Sequence, residues 1–203
     1  MSKPGFLVVI SGPSGGGKGT VVRRVRDMMP EIALSISATT RPPRAGEVDG
    51  KDYYFMDRDT FEEMVAREEM LEYTCYCGNY YGTPKKEAQR ILLSGKNLIL
   101  EIEVEGNAQV KRLYPDAVSI MLIPPTIEEM HQRLLGRGTE SVETVEKRLA
   151  RAAEEIQLAS EYDYIVINQR DGIEACARHI CEIVRAESAR ASRMTEEIKA
   201  FLI

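Results

Sequence analysis

The sequence predicts an α/β fold: a three-layer core in which helices cover both faces of a parallel β-sheet, with a small α+β insertion and a short lid. Short apolar runs alternate with amphipathic helical stretches along most of the chain. Several of those runs are apolar on both faces, the mark of a strand buried between two layers. The alternation breaks between about 40 and 96, where a turn-rich, aromatic segment intervenes. One domain is expected over residues 1–203, with the core at 1–36, 97–127 and 149–203, the insertion at 37–96 and the lid at about 128–148.

FLVVIS (6–11), NLILEIE (97–103), AVSIMLI (117–123) and YDYIVIN (162–168) read as strands, and LSISAT (34–39) as a shorter, more polar fifth. Helices are expected over about 17–29, ending at Pro30, over 84–94, opening at Pro84, and over 105–113, before Pro115. Further helices fit 126–135, 142–160 and 172–190, and the tail TEEIKAFLI is a candidate last one. The insertion holds a polar segment (TTRPPRAGEVDGKD), strand-like pieces (YYFM and MLEYTCYC) and a glycine–tyrosine loop (GNYYGTP). GRGTESV (136–142) interrupts two helices with glycine and charge, as a mobile lid would.

Composition narrows the function. A chain of 203 residues, 43% hydrophobic and 29% charged, matches an ordinary globular enzyme. A net charge of −5 argues against nonspecific nucleic-acid binding, so any phosphate must be held by local clusters. No apolar run approaches the roughly 20 residues that span a bilayer. MSKPGFLVVISGPSG lacks the length and cleavage site of a signal peptide and reads as a first strand, so no membrane association and a cytoplasmic location are expected. Cys75, Cys77, Cys176 and Cys181 are spaced C-x-C and C-x4-C with no histidine pair nearby, which suits reduced thiols rather than a zinc site. His131 and His179 lie in helical stretches without triad partners and are not expected to be catalytic.

The chemistry begins at GPSGGGKGT (12–20), between a buried strand and a helix. Such a loop aims backbone N–H groups and the positive helix end at an anion. Gly12, Pro13, Ser14, Gly15, Gly16 and Gly17 would wrap phosphate oxygens, and Lys18 would bring a charge to the β and γ phosphates. The Ser/Thr that usually follows the lysine and holds Mg²⁺ is replaced by Gly19, and the hydroxyl comes one place later, at Thr20. G-K-G-T loops occur in kinases of nucleoside monophosphates, where the metal is held largely by water and the nucleotides.

A second anion pocket is offered by Arg41 and Arg44 on a proline-stiffened loop, since planar guanidinium groups suit bidentate phosphate contact. Taken alone, that pair also fits a solvated surface. The series GPSGGGKGT, SATTRPPRAGEVDGKDYYF, LEY, GNYYGTP, LEIEVEG and RGTES with a later KRL resembles the guanylate kinase family, in order from residue 6 to about 170. The resemblance implies that Arg41, Arg44, Tyr53 and Tyr81 bind the acceptor phosphate of GMP, and that Ser37, Glu72, Thr83 and Glu103 read its guanine. Guanine presents N1–H and a 2-amino group, which one ionised carboxylate can accept together, while Ser37 or Thr83 donates to O6. Adenine would leave that carboxylate unpaired.

Glu101 and Glu103 share one face at the carboxyl end of NLILEIE, where ligands bind in open α/β sheets. The family often carries aspartates here, so these longer side chains are a departure. Glu101 is expected to hold Mg²⁺, directly or through water, with Glu103 approaching the guanine. The resemblance assigns Arg137 and Arg148 to the donor and transferring phosphates, with Arg133 assisting and Asn168 on the adenine side. Arg112, Arg151 and Arg185 read as solvated charge. The implied function is transfer of the ATP γ-phosphoryl group to GMP, or to dGMP, with Mg²⁺ and with Lys18, Arg41, Arg137 and Arg148 as catalytic residues. Monomer and homo-oligomer both remain open. A binding module that uses the same pocket for protein partners would have little use for Lys18, Arg41 and Arg44. Glu72 and Thr83 argue against a kinase of some other small molecule.

Overall fold

A computed structural model describes residues 3–135, 142–194 and 198. In chain order its elements are β1 (Leu7–Ser11), α1 (Lys18–Met28), β2 (Ala33–Leu34), β3 (Ala38–Thr39), β4 (Tyr54–Phe55), α2 (Arg58–Ala66), β5 (Met70–Tyr76), β6 (Asn79–Pro84) and α3 (Lys85–Leu93). They continue with β7 (Leu98–Glu101), α4 (Val104–Leu113), β8 (Val118–Ile123), α5 (Ile127–Leu135), α6 (Val142–Gln157), β9 (Tyr164–Ile167) and α7 (Ile173–Ser188).

Five strands form a parallel sheet in the order β2-β7-β1-β8-β9. All five residues of β1 are buried, and their alternation divides them between two cores. Val8 and Ile10 pack with Val21, Val22 and Val25 of α1 and with Ala177, Ile180 and Val184 of α7. Leu7 and Val9 face the other way, against Ala88 and Leu92 of α3 and Val110 of α4. This is why the strand reads as a continuous apolar run. Each such side chain contributes roughly 1.5–3 kcal/mol by leaving water.

A second sheet, β4-β3-β6-β5, carries the inserted segment. Here the structure departs from the sequence reading. LSISAT is not one strand: Ala33–Leu34 joins the parallel sheet beside β7, while Ala38–Thr39 joins the second sheet between β4 and β6. GNYYGTP, expected as a loop, is mostly strand β6, paired antiparallel with β5. The two connect through Cys77 (φ 49°) and Gly78 (φ 79°), the two positive φ angles that a tight hairpin turn requires. Helix α2 was not foreseen, although Asp57 caps it by accepting the Thr60 N–H at 2.8 Å. Helix 142–160 ends sooner, at Gln157, and continues as a 3₁₀ turn over Leu158–Glu161.

Of the predicted lid segment, residues 136–141 lie outside the described residues, and so does most of the tail. Cys176 and Cys181 are buried free thiols and Cys75 and Cys77 exposed ones. Among the described residues no helix is long and apolar enough to cross a membrane.

Candidate active site

The loops leaving the carboxyl ends of β1, β2 and β7 meet the second sheet around a cavity of about 510 Å³. On its core side lies the glycine loop. Gly12 has φ 151°, and a Cβ there would fall 2.1 Å from the Leu122 carbonyl oxygen, so no larger residue lets the chain turn over β8. Gly17, at φ 87°, starts α1 without any side-chain cap. Lys18 opens that helix, its Nζ donating to the Gly12 carbonyl at 2.6 Å and lying 3.6 Å from Glu103 Oε1. Pro13, Ser14, Gly15, Gly17, Lys18, Gly19 and Thr20 all line the cavity.

Four of the described residues expected at the donor nucleotide are not among those that line the cavity. Asn168 Nδ2 donates to the Gly16 carbonyl at 2.9 Å. Arg133 Nη2 donates to the Asn168 carbonyl at 2.9 Å, and its Nε donates to Glu129 Oε1 at 3.0 Å. Asn168 and Arg133 thus brace the loop and are not among the cavity's lining residues, nor is Gly16. Gly12 is likewise set back, its carbonyl holding Lys18.

Gly19 acquires a reason from its neighbour. A Cβ at Gly19 would sit 3.3 Å from Glu101 Oε1, so the carboxylate occupies the space that a Ser or Thr side chain would claim. Burial pushes the Glu101 carboxyl up from its ordinary range, with Lys18 pulling it down and Glu103 pushing it further up. Among the described residues no three His, Cys, Asp or Glu side chains gather into a metal cage. One carboxylate facing a phosphate loop fits a hard cation such as Mg²⁺, which takes one or two carboxylates and fills its shell with phosphate oxygens and water.

Across the cavity stand Ser37, Arg41, Arg44, Tyr53, Glu72 and Tyr81. Arg41 makes a two-pronged pair with Glu47, Nη1 to Oε2 and Nη2 to Oε1, both at 2.9 Å. Its guanidinium also lies 5.4 Å from the Tyr53 ring centre and 5.7 Å from that of Phe55. Glu47 accepts the Arg44 N–H at 2.7 Å as well, so one unforeseen carboxylate organises both arginines. The bond from Arg41, then that from Arg44, hold the Glu47 carboxyl below its usual range. Tyr53 and Tyr81 meet edge to face at 6.2 Å.

Glu72 and Thr83 are cross-strand partners on β5 and β6. Both are buried, at 3% and 0% exposure, and the Thr83 hydroxyl donates to Glu72 Oε1 at 2.7 Å. Thr83 therefore supports the carboxylate and does not itself line the cavity, whereas Ser37, the other hydroxyl expected at guanine O6, does. Burial pushes the Glu72 carboxyl up to about 7, and the Thr83 hydroxyl and backbone N–H pull against that rise. Gly106, in the first turn of α4, makes room for it: a Cβ there would lie 2.6 Å from Glu72 Oε2. Its signal was a glycine inside a helical pattern, which weakens a helix unless something approaches closely.

Arg148 reaches the cavity from α6, its guanidinium 5.9 Å from the Tyr76 ring centre. Arg137 lies outside the described residues. Arg151, read as solvated charge, is instead paired with Glu105 and Glu155 and lies over Tyr76. Thr74 and Tyr76 also line the cavity and were not foreseen.

The chain is similar to known proteins along nearly its whole length. The profile of the guanylate kinase family matches residues 5–187. A guanylate kinase of Lactococcus lactis is 50% identical over 196 residues, covering 97% of this chain and 95% of that protein. One of Halalkalibacterium halodurans is 47% identical over 193 residues, covering 95% and 94%. The crystal structure of guanylate kinase from Anaplasma phagocytophilum superposes with a TM-score of 0.78 at 33% identity, covering 97% of this chain and 94% of that one. With a phosphate loop facing an arginine- and glutamate-lined pocket, and with this match along nearly its whole length, the chain belongs to the guanylate kinase family.

Proposed function

We propose that the protein transfers the γ-phosphoryl group of ATP to GMP, giving ADP and GDP, in the purine nucleotide metabolism of the cytoplasm. The observation that carries the reading is the buried Glu72, backed by Thr83 and aimed into a cavity whose far wall is the phosphate loop. In its ionised form Glu72 accepts guanine N1–H and the 2-amino group together, and Ser37 donates to O6. Glu103, 3.6 Å from Lys18, lies between the two substrates and serves the guanine side.

Arg41, Arg44, Tyr53 and Tyr81 receive the GMP phosphate and turn one of its oxygens toward the donor. The loop of residues 12–20 holds the ATP phosphates, with Gly12, Gly16, Asn168 and Arg133 keeping its shape from behind. Lys18, Arg148 and Arg137 neutralise the charge that moves from donor to acceptor, the main demand of this reaction. Glu101 would hold Mg²⁺, directly or through water, and the ion would supply further neutralisation at the donor phosphates. No covalent enzyme intermediate is needed. The 37–96 insertion and the 128–148 lid would close over both substrates, excluding the water that hydrolyses ATP.

Transfer of label from γ-labelled ATP in the presence of Mg²⁺ tests the reading. Labelled GDP with GMP as acceptor, lost in Lys18→Ala, is the expected result; label released only as inorganic phosphate would refute it.

A further inference from the structure

Glu72, Thr74 and Tyr76 stand in a row on one face of β5, as alternate residues of a strand must, and all three line the cavity. Beyond the guanine-reading end, the row runs into α6. The Tyr76 ring lies 5.9 Å from the guanidinium of Arg148 and 5.2 Å from that of Arg151, three residues apart on one helix face. Arg151 Nη2 reaches Glu105 Oε1 at 3.2 Å, and Glu105 Oε2 accepts the Thr74 hydroxyl at 2.5 Å. On its other side Arg151 Nε donates to Glu155 Oε1 at 2.8 Å, and Glu155 is only 7% exposed. One guanidinium therefore touches the lid-side helix, the strand that carries Glu72, and the helix that follows Glu101 and Glu103.

We propose that Arg151 is a positioning residue that couples the acceptor site to the donor site. The proposal rests on the assignment of those sites to GMP and ATP. Seating of a guanine against Glu72 fixes β5, and with it Thr74 and Tyr76. Through Glu105 and the Tyr76 ring, this fixes Arg151, and so the helix that presents Arg148 to the donor phosphates. The pair between the Arg151 and Glu105 side chains, 34% and 57% exposed, is expected to add little to folding by itself. Their consequence is linkage: GMP tightens ATP binding, and ATP tightens GMP binding by the same factor.

The test measures the dissociation constant of a non-hydrolysable ATP analogue with Mg²⁺, with and without saturating GMP. This is done for the wild type, Arg151→Ala, Arg151→Lys, Glu105→Gln and Thr74→Val, with melting temperatures alongside. The wild type is expected to bind the analogue roughly tenfold more tightly when GMP is present, within the usual range for coupled sites. In Arg151→Ala that ratio falls toward one while binary GMP affinity changes little, and the melting temperature drops because the buried Glu155 loses its partner. Arg151→Lys retains part of it, Glu105→Gln and Thr74→Val each lower it, and Thr74→Val combined with Arg151→Ala in a double variant removes nothing further. A ratio unchanged in Arg151→Ala, or a wild type without any linkage, overturns the proposal. If Arg151→Ala fails to fold, Thr74→Val alone must reduce the ratio or the proposal falls. A wild type that turns over GMP without linkage defeats only the coupling, whereas failure to bind or phosphorylate GMP at all defeats the underlying assignment.

Discussion

The Thr83 hydroxyl donates to Glu72 Oε1 at 2.7 Å, across the hairpin and out of solvent. On the proposed function this bond supports specificity, because a buried carboxylate left short of donors is costly to keep ionised. Thr83→Val keeps the shape and removes the donor. The KM for GMP is expected to rise roughly tenfold at pH 7.5, in line with the cost of one lost bond to a buried charged group, with kcat changed much less. Steady-state kinetics at saturating ATP check this.

A pH dependence follows from the same group. Glu72, pushed up to about 7 by burial, must be ionised to accept two guanine donors. The KM for GMP should therefore climb as pH falls below about 7 and level off above it. Glu72→Gln should bind GMP weakly at every pH and lose the inflection. Because the folded-state value is raised, Glu72 favours the folded protein most below the unfolded carboxylate range, and this is lost as pH rises through about 7. Glu72→Gln should accordingly gain stability relative to wild type between pH 5 and pH 8, by on the order of 3 kcal/mol. Denaturant titrations at the two pH values measure it.

Gly106→Ala places a methyl group 2.6 Å from Glu72 Oε2. A better helix former at an α4 position would ordinarily stabilise by about 1 kcal/mol. Here the carboxylate must shift, so KM for GMP is expected to rise roughly tenfold without a gain in melting temperature. A more stable variant with unchanged KM would show that the site is looser than the geometry implies.

Gly17→Ala combines a left-handed backbone, φ 87°, with a Cβ 2.6 Å from Asn168 Nδ2. The bond from Asn168 to the Gly16 carbonyl would be disturbed, and with it the curvature of the loop. Weaker ATP binding and a lowered melting temperature are expected together, with GMP affinity nearly intact. Calorimetric titration of each nucleotide separates the two.

Much of this was legible in the chain itself, for identifiable reasons. Strand β1 declared itself because both its faces meet helices, and the glycine loop because a turn this tight over β8 admits no side chain at Gly12. The residues expected at an acceptor came from the resemblance to the guanylate kinase family, and the structure brings Ser37, Arg41, Arg44, Tyr53, Glu72, Tyr81 and Glu103 of them to one cavity. What failed depended on pairings distant in sequence. LSISAT has one local pattern, yet Leu34 at its start and Ala38–Thr39 at its end are claimed by two different sheets. GNYYGTP is rich in turn residues, but Cys77 and Gly78 already make the turn, leaving it free to pair with β5. Thr83, Asn168 and Arg133 were named without the intraprotein bonds that hold them, to Glu72, Gly16, Asn168 and Glu129, because those partners too are set by the fold. Arg151 looked solvated because Glu105 and Tyr76 are far from it in sequence.

The central claim is that Glu72, held by Thr83 at the end of a cavity walled by the glycine loop, selects guanine. The most direct measurement is kcat/KM for GMP and for AMP with saturating ATP·Mg²⁺, in the wild type and in Glu72→Ala. A site built on buried polar pairing is expected to prefer GMP by a factor on the order of 10⁴ and to lose most of that preference in the variant. A wild-type ratio within about tenfold, or a ratio that survives Glu72→Ala, would contradict the account.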